Sequence, residues 1–469
     1  MAKLKIIAMR KFSLSDQIDF GRFSGDTNPI HIDPVAARRT LHGVCIVHGM
    51  HAILWALEEL AIRNYCSVIG LKARFSNPLV LDCDTKLYLD EKLQQIILTQ
   101  NGINCISMSL SLGVVKPNFR EWETLVPHPK SADQNFDSFS IGDRFRFNLH
   151  REVSYNKVSF PALAGVYGDL LASEIAGLSQ LVGMECPGTH SLFASVSLSL
   201  CEENKTSIYK IVKLDERLGL IHIEVFGLSI NASLECFFRP KPVVSLTYRQ
   251  CLQLVERNEF KDVNALIIGG SRGLGECTSK LIAAGGGKSF ITYLQGADDA
   301  AIVKADINSL GGSCEILPFD IEQRENIKAN VKKLCINQLF YYASPKISSE
   351  QETEYDAKKA IYKKFYCQNF KRLANNLHRK LGALAIFYPS TVYIDEKKLG
   401  FKAYIDAKLD GEAICQELLQ SNSSLNIMYP RLPALQTDQN QSILGQPQNV
   451  IENASVLLPE IRKMKTLLN

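Results

Sequence analysis

Apolar residues run almost unbroken from Gly43 to Leu60 (GVCIVHGMHAILWALEEL), the texture of a helix buried on most sides. The stretches that follow, LKARFSNPLVLDCDTKLYL and IILTQNGINCISMSLSLGVV, alternate apolar and polar residues as strands do. Residues 115–138 (KPNFREWETLVPHPKSADQNFDS from Lys116) are polar, proline-containing and aperiodic, and read as a linker. From Phe139 the helix-then-strands texture restarts, and IYKIVKLDERLGLIHIEVFGLSINASLECFFRPKPV supplies its last strands. The texture changes again at Val263. NALIIGGSRGLGECTSKLIAAG reads as a strand, a glycine-rich turn and a helix; KSFITYL, CEILPFD and GALAIFYPS are further strands. Strands alternating with helices predict a parallel, doubly wound sheet.

Composition narrows this picture only slightly. A chain of 469 residues should hold about three domains. With 46% hydrophobic and 22% charged residues it has the make-up of a soluble globular protein. A net charge of +4 without a basic run gives no reason to expect nucleic acid or membrane as a partner. The 13 cysteines form no C-x-x-C pair, so free thiols in a reducing cytosol are expected. The first residues lack a signal-peptide core, and no run reaches the ~18 apolar residues of a membrane span. The expected location is the cytoplasm.

The chemistry begins at Phe23–Asp33, FSGDTNPIHID. Asn28-Pro29 between Asp26 and His31 rules out a helix interior and predicts a shaped loop. Such a loop can aim a carboxylate and an imidazole at one point, where they hold a water and move its protons. An isolated pair at this spacing would be a turn-capping Asp and a surface His. Here Phe23, Ser24, Gly25, Asp26, Asn28, Pro29, Ile30, His31 and Asp33 together resemble the signature of the MaoC-like (R)-specific enoyl-thioester hydratases of the hotdog fold. The resemblance implies that Asp26 acts as base towards water and that His31 orients it. Gly49 matches the family's oxyanion glycine at a helix N-terminus, where backbone N–H groups can meet developing negative charge. Phe75 to Val80 resembles the F-x-x-P-V strand, with Asp82 or Asp84 after it. Trp55-Ala-Leu57 stands where the family often has a small polar residue, a departure that bears on pocket shape or activity. His42, His48 and His51 have no ligand-like spacing with a carboxylate or Cys, so no metal is expected.

The second repeat resembles a hotdog that has lost this loop. Gly168 takes the place of Gly49, and Pro187-Gly188 resembles the Pro-Gly after the family's central helix. Double-hotdog hydratases divide labour in this way, one half carrying the pair and the other opening to hold the acyl chain.

Ile268-Gly-Gly-Ser-Arg-Gly-Leu-Gly275 follows an apolar strand and opens a helix, the setting a dinucleotide loop requires. It resembles the T-G-x-x-x-G-x-G of short-chain dehydrogenases/reductases. That resemblance implies cofactor contacts from Gly269, Ser271, Arg272, Gly273, Leu274 and Gly275. Arg272, and the lack of an Asp after ITYLQ, favour NADP(H) over NAD. Asp320, with Ile321 beside it, resembles the adenine-contacting Asp, and Thr437 the nicotinamide contact. Tyr404 and Lys408 form a Y-x-x-x-K on one helix face. Tyr404 would donate a proton, Lys408 would lower its pKa and hold the ribose, and Thr391 takes the place of the catalytic Ser. Three positions depart from the pattern. Tyr341-Tyr-Ala-Ser344 replaces N-N-A-G, Pro430-Arg431 replaces Pro-Gly, and Lys363 stands near the place of the helical Asn.

The fold so implied is multidomain, an α+β double hotdog followed by an α/β Rossmann-type doubly wound domain. Its parts are residues 1–114 with the Asp/His loop, a linker at 115–138, a second hotdog at 139–250 and a reductase-like domain at 258–469. The implied protein is bifunctional, a 3-hydroxyacyl dehydratase/enoyl hydratase joined to an NADPH-dependent 3-ketoacyl reductase in fatty-acid- or polyketide-like synthesis. Its partners are an acyl-CoA or acyl-carrier-protein thioester, and a homo-oligomer is allowed for. Two alternatives are a dehydratase whose reductase domain only docks or regulates, and a non-catalytic acyl-binding scaffold.

Overall fold

The structure, a computed structural model, describes residues 4–65, 68–114, 133–146, 158–201, 207–227, 229–239, 241–323, 331–350, 352–438 and 450–467. Most of the expected linker, 115–132, lies outside the described residues. The chain forms two compact units, the first closing at Lys241 and the second opening at Pro242.

In the first unit, β1 (Lys5–Arg10) is followed by a helix, Leu14–Ser24, in a stretch whose sequence reads as loop. A capping box starts the helix: Ser13 Oγ accepts from Asp16 N–H (3.1 Å) and Asp16 Oδ2 accepts from Ser13 N–H (2.7 Å). Its buried residues are Gln17, Phe20, Gly21, Phe23 and Ser24, so polar and small residues share the buried face with two phenylalanines. The Asp/His segment is also more helical than its prolines suggest. Pro29–Ile32 is a single turn with Asn28 as N-cap, since proline is well accommodated at the first helical position.

The helix Gly49–Ile62 is buried nearly all round, as its apolar run predicts. It packs on a second central helix, Asp169–Gln180. Both lie among the strands β2 (Val68–Phe75), β3 (Thr85–Asp90), β4 (Gln95–Gln100), β5 (Ile103–Leu112), β6 (Arg144–Arg146), β7 (Ser191–Leu200), β8 (Ile208–Asp215), β9 (Leu220–Phe226) and β10 (Ile230–Phe238). Among the described residues these form one antiparallel sheet in the order β1-β3-β4-β5-β2-β7-β10-β9-β8-β6. Read inward from either edge, each half gives its first, third, fourth, fifth and second strand, so the hotdog motif is present twice. The seam is β2 against β7, with Leu71 opposite Leu198 and Ala73 opposite Val196. Buried Glu58 crosses between the halves, accepting the Ala162 and Leu163 N–H groups (2.9 and 2.7 Å) at the start of helix Pro161–Tyr167.

The second unit holds a parallel sheet of β11 (Asn264–Ile268), β12 (Lys288–Tyr293), β13 (Ser313–Pro318), β14 (Gln338–Tyr341), β15 (Leu384–Phe387) and β17 (Leu425–Met428), in the order β13-β12-β11-β14-β15-β17. The order reverses after the first strand, as in the Rossmann fold. Ala265 and Ile267 enter one core, and Leu266 and Ile268 the other, which explains the unbroken apolar run of β11. A small parallel pair, β16 (Ser390–Thr391) and β18 (Arg431–Leu432), sits beyond the ends of β15 and β17. Among the described residues no helix is long and apolar enough to cross a membrane.

Candidate active site

Asp26, His31 and Gly49 line one cavity of about 210 Å³ in the first unit. Its other walls are largely apolar and come from both halves, with Phe75, Leu79 and Ile106 from the first and Val182, Phe193 and Phe237 from the second; Ser76, Asn77, Ser179 and Ser191 add polar groups. Asp26 is buried and held by three groups. Ser179 Oγ donates to Asp26 Oδ2 (2.6 Å), Asn28 N–H donates to Asp26 Oδ1 (3.1 Å), and Ser24 Oγ accepts the Asp26 N–H (3.1 Å). Burial pushes the carboxyl up to about 6, against the opposing pull of the Ser179 and Asn28 hydrogen bonds.

His31 Nδ1 lies 2.8 Å from the Ile46 carbonyl, which can only accept. Nδ1 therefore carries the proton, and Nε2 keeps its lone pair. Burial drives the His31 pKa down to about 4, so the ring is neutral at pH 7. His48 stacks on it with ring centroids 3.8 Å apart. The ring nitrogens of His48 sit 2.9 Å from Gln17 Oε1 and 3.1 Å from the Asp26 carbonyl oxygen. One ligand atom each from Asp26, His31 and His48 fall within 4.8 Å of one another. A cation there would have to break His48 away from Gln17 or Asp26. His51 stacks on Phe20 in the core (4.6 Å).

Gly49 opens its helix after His48, which provides no side-chain cap, so the first-turn N–H groups start at the cavity wall. Trp55 does not reach the cavity lining. It is buried against Phe12 (5.6 Å) and donates its indole N–H to Glu59. The small polar group near Asp26 is Ser179, from the other half.

Sequence reasoning missed three contributors. One is Ser179, a lone polar residue in an apolar helix. The second is Gly183, in the π-helical turn Leu181–Glu185: a Cβ there would stand 2.3 Å from Asp26 Oδ1, so only glycine admits the carboxylate. The third is the side chain of Asn28. Its Nδ2 donates to the carbonyls of Gly183 (3.2 Å) and Thr189 (3.1 Å) and so ties the loop to the second half.

In the second unit the glycine-rich turn joins β11 to helix Gly273–Ala284. Gly275 brings helix and turn together, since a Cβ would meet Gly269 O at 2.3 Å. Thr437 lies beside Gly273, 3.6 Å from where its Cβ would be. Ser271 and Leu274 belong to the same turn and helix start. Arg272 donates to Asp438 Oδ2 (3.4 Å). Asp320 and Ile321 follow β13. Asp320 Oδ1 accepts the Glu322 N–H (2.9 Å), and Ile321 O accepts from Arg372.

Tyr404 and Lys408 share helix Lys402–Ser421, and Thr391 hydrogen-bonds the Tyr404 phenol. The expected lowering of the phenol pKa by Lys408 is not what the geometry gives. Burial holds Tyr404 well above its ordinary value, with Thr391 opposing. Lys408 is itself buried, which pushes it down to about 7. Its Nζ donates to Pro389 O (2.7 Å) and lies 3.9 Å from the Tyr366 ring centroid. Tyr366 belongs to a π-helical turn, Lys364–Asn369, that directly follows Lys363, and Lys363 pairs with Asp410. The replacements for N-N-A-G fill space: Tyr341 donates to Phe365 O (2.7 Å), and the Tyr342 phenol hydrogen-bonds Thr278 (2.7 Å). Arg431 clasps Glu412 (2.9 and 2.7 Å), which also accepts from Ser390 (2.5 Å).

Residues 3–92 match the family model described as the MaoC like domain, and residues 263–338 match that of the short chain dehydrogenase. No curated protein matches the chain. Similar solved structures include a short chain dehydrogenase from Burkholderia cenocepacia J2315 in complex with NADP (19% identity, 44% of this chain, 91% of that one, TM-score 0.39). FolM alternative dihydrofolate reductase 1 from Brucella canis, complexed with NADP, is 17% identical over 45% of this chain and 90% of that one (TM-score 0.38). A 3-oxoacyl (acyl-carrier-protein) reductase from Agrobacterium tumefaciens C58 with NADP bound is 16% identical over 38% and 75% (TM-score 0.33). The chain joins a MaoC-like domain to a short-chain dehydrogenase domain.

Proposed function

We propose that this chain is a bifunctional acyl-thioester enzyme, an (R)-specific 3-hydroxyacyl dehydratase/enoyl hydratase joined to an NADPH-dependent 3-ketoacyl reductase. It would act on CoA or carrier-protein thioesters in fatty-acid- or polyketide-like synthesis in the cytoplasm. The observation that carries the reading is the convergence of Asp26, His31 and the helix start at Gly49 on one largely apolar cavity. In the hydration direction a water held by His31 Nε2 and Asp26 loses a proton to the carboxylate. Its oxygen attacks C3 of the enoyl thioester. Negative charge moves to the thioester oxygen, where N–H groups at the start of the Gly49 helix stabilise it, and C2 then takes up a proton. The apolar wall receives the acyl chain. Hydration of a short enoyl thioester, followed as loss of its absorbance, tests this; an inert wild type would overturn the hydratase half of the reading.

Ser179 should tune the base. Its hydrogen bond favours the carboxylate, so Ser179→Ala should raise the Asp26 pKa from its value of about 6. Hydration needs the ionised form. The acid side of the pH–rate profile should therefore move to higher pH, while turnover on the alkaline plateau changes little.

In the second unit the glycine-rich turn would hold the pyrophosphate on its helix N-terminus; Gly269 and Gly273 take positive φ (80° and 59°) in that turn, and Gly275 lets the helix approach it. Arg272 would exchange Asp438 for the 2′-phosphate, Asp320 and Ile321 would flank the adenine, and Thr437 the nicotinamide end. NADPH, where bound, supplies the hydride. Tyr404 gives the proton to the carbonyl oxygen, with Thr391 orienting it. A second reading, a dehydratase whose reductase unit binds but does not reduce, is favoured by Lys408, which is engaged by Pro389 and Tyr366. NADPH oxidation with a 3-ketoacyl thioester separates the two.

A further inference from the structure

Arg239 follows β10, in the second half of the first unit, and is 5% exposed. Its Nη2 donates to the Thr189 carbonyl (2.6 Å), the same oxygen that accepts Asn28 Nδ2 (3.1 Å). Its Nε has no hydrogen-bond partner. Among the described residues no carboxylate pairs with it, for the nearby Asp133 is taken by His190 (3.1 Å) and Lys241 (2.7 Å). A buried guanidinium without a counter-ion is costly, and here it stands one carbonyl away from the loop that carries Asp26 and His31.

We propose that Arg239 is a positioning residue of the hydratase site: it fixes the Thr189 carbonyl that anchors Asn28. This rests on the hydratase reading above. Asn28 is the hinge of the argument. Its N–H holds Asp26 Oδ1, its Oδ1 accepts the Ile30 N–H (3.2 Å) that starts the His31 turn, and its Nδ2 reaches Thr189. A shift of Thr189 therefore moves both catalytic groups. The titratable and charged groups around His31 are Asp26 on its own loop, His48 at the start of the first central helix, His42 on the cavity wall, and Arg239 with His190 beside it. Burial lowers Arg239 itself only to about 10, so it is charged at neutral pH.

The test uses the full chain and two variants. Arg239→Lys keeps a donor for Thr189; Arg239→Met keeps the length of the side chain and removes the donor. In Arg239→Met kcat for enoyl-thioester hydration should fall about tenfold with KM nearly unchanged. The side-chain amide NMR signals of Asn28, assigned by their loss in Asn28→Ala, should move in the same variant. Arg239→Lys should restore the Asn28 signals and recover most of kcat. A purely structural arginine would lower the thermal midpoint in Arg239→Met while the Asn28 signals and kcat of the folded enzyme stayed as in wild type, and that result would overturn the proposal. If the wild type hydrated no enoyl thioester the hydratase reading would fall, while the Asn28 signals would still decide whether Arg239 positions the loop.

Discussion

Asp26→Asn is expected to abolish hydration and dehydration while making the fold more stable. Proton transfer by a positioned side chain contributes about 10²–10⁴-fold, and an amide cannot take the proton from water. The amide can keep the present partners, accepting the Asn28 N–H and donating to Ser179 Oγ. The sign of the stability effect follows from linkage. Burial raises the carboxyl to about 6 in the fold from its ordinary 3.8, so the fold binds the proton more tightly than the unfolded chain does. Wild-type stability is therefore lost as pH rises from about 4 through about 6, by an amount on the order of 3 kcal/mol. Asparagine carries no such penalty. The thermal midpoint of Asp26→Asn should exceed that of wild type at about pH 8 and approach it at about pH 4. His31→Ala should lose comparable activity. Near-wild-type turnover by either variant would refute the assignment.

Tyr404→Phe should remove reduction and leave hydration intact. Its phenol is buried and hydrogen-bonded by Thr391, and burial keeps it protonated far into the alkaline range. Such a phenol is protonated at neutral pH and can give its proton to a carbonyl oxygen, but as a weaker acid it gives it slowly. Reduction of a 3-ketoacyl thioester should therefore be slow yet measurable at neutral pH. Phenylalanine preserves the edge-on ring contacts with Tyr362, Tyr366 and Tyr393 and forfeits one hydrogen bond, about 1 kcal/mol. Loss of reduction by about 10²-fold or more, with the enoyl-thioester assay unchanged, is the expected pair of results. If hydration falls as well, the two units are coupled in function. If wild type consumes no NADPH with any 3-ketoacyl thioester, the non-reducing reading takes over.

What could be read beforehand was what is local in the chain. The Asp26–His31 loop and the glycine-rich turn each fit within about a dozen residues, because a turn, a helix cap and a close backbone approach are set by neighbours. Helix Leu14–Ser24 was also within reach through Ser13 and Asp16, but its buried face contains Gln17, Gly21 and Ser24, so the apolar count hid it. The partners of Asp26 were out of reach. Ser179 and Gly183 arrive from over 150 residues away through the packing of the two halves, and no local pattern marks a serine as facing a carboxylate. The same holds for Lys408. The Y-x-x-x-K spacing put it on the face of Tyr404, but the ring of Tyr366 and the carbonyl of Pro389, which engage its ammonium, come from other segments.

The most direct test is to incubate a 3-ketoacyl thioester with the enzyme and NADPH and to follow the acyl group by mass spectrometry. The two domains predict successive appearance of the 3-hydroxyacyl and the 2-enoyl thioester. The Asp26→Asn variant should stop at the hydroxy form, and Tyr404→Phe should leave the ketone untouched yet still interconvert the other two. Recovery of both the ketoacyl and an added hydroxyacyl thioester unchanged with wild-type enzyme would contradict the account.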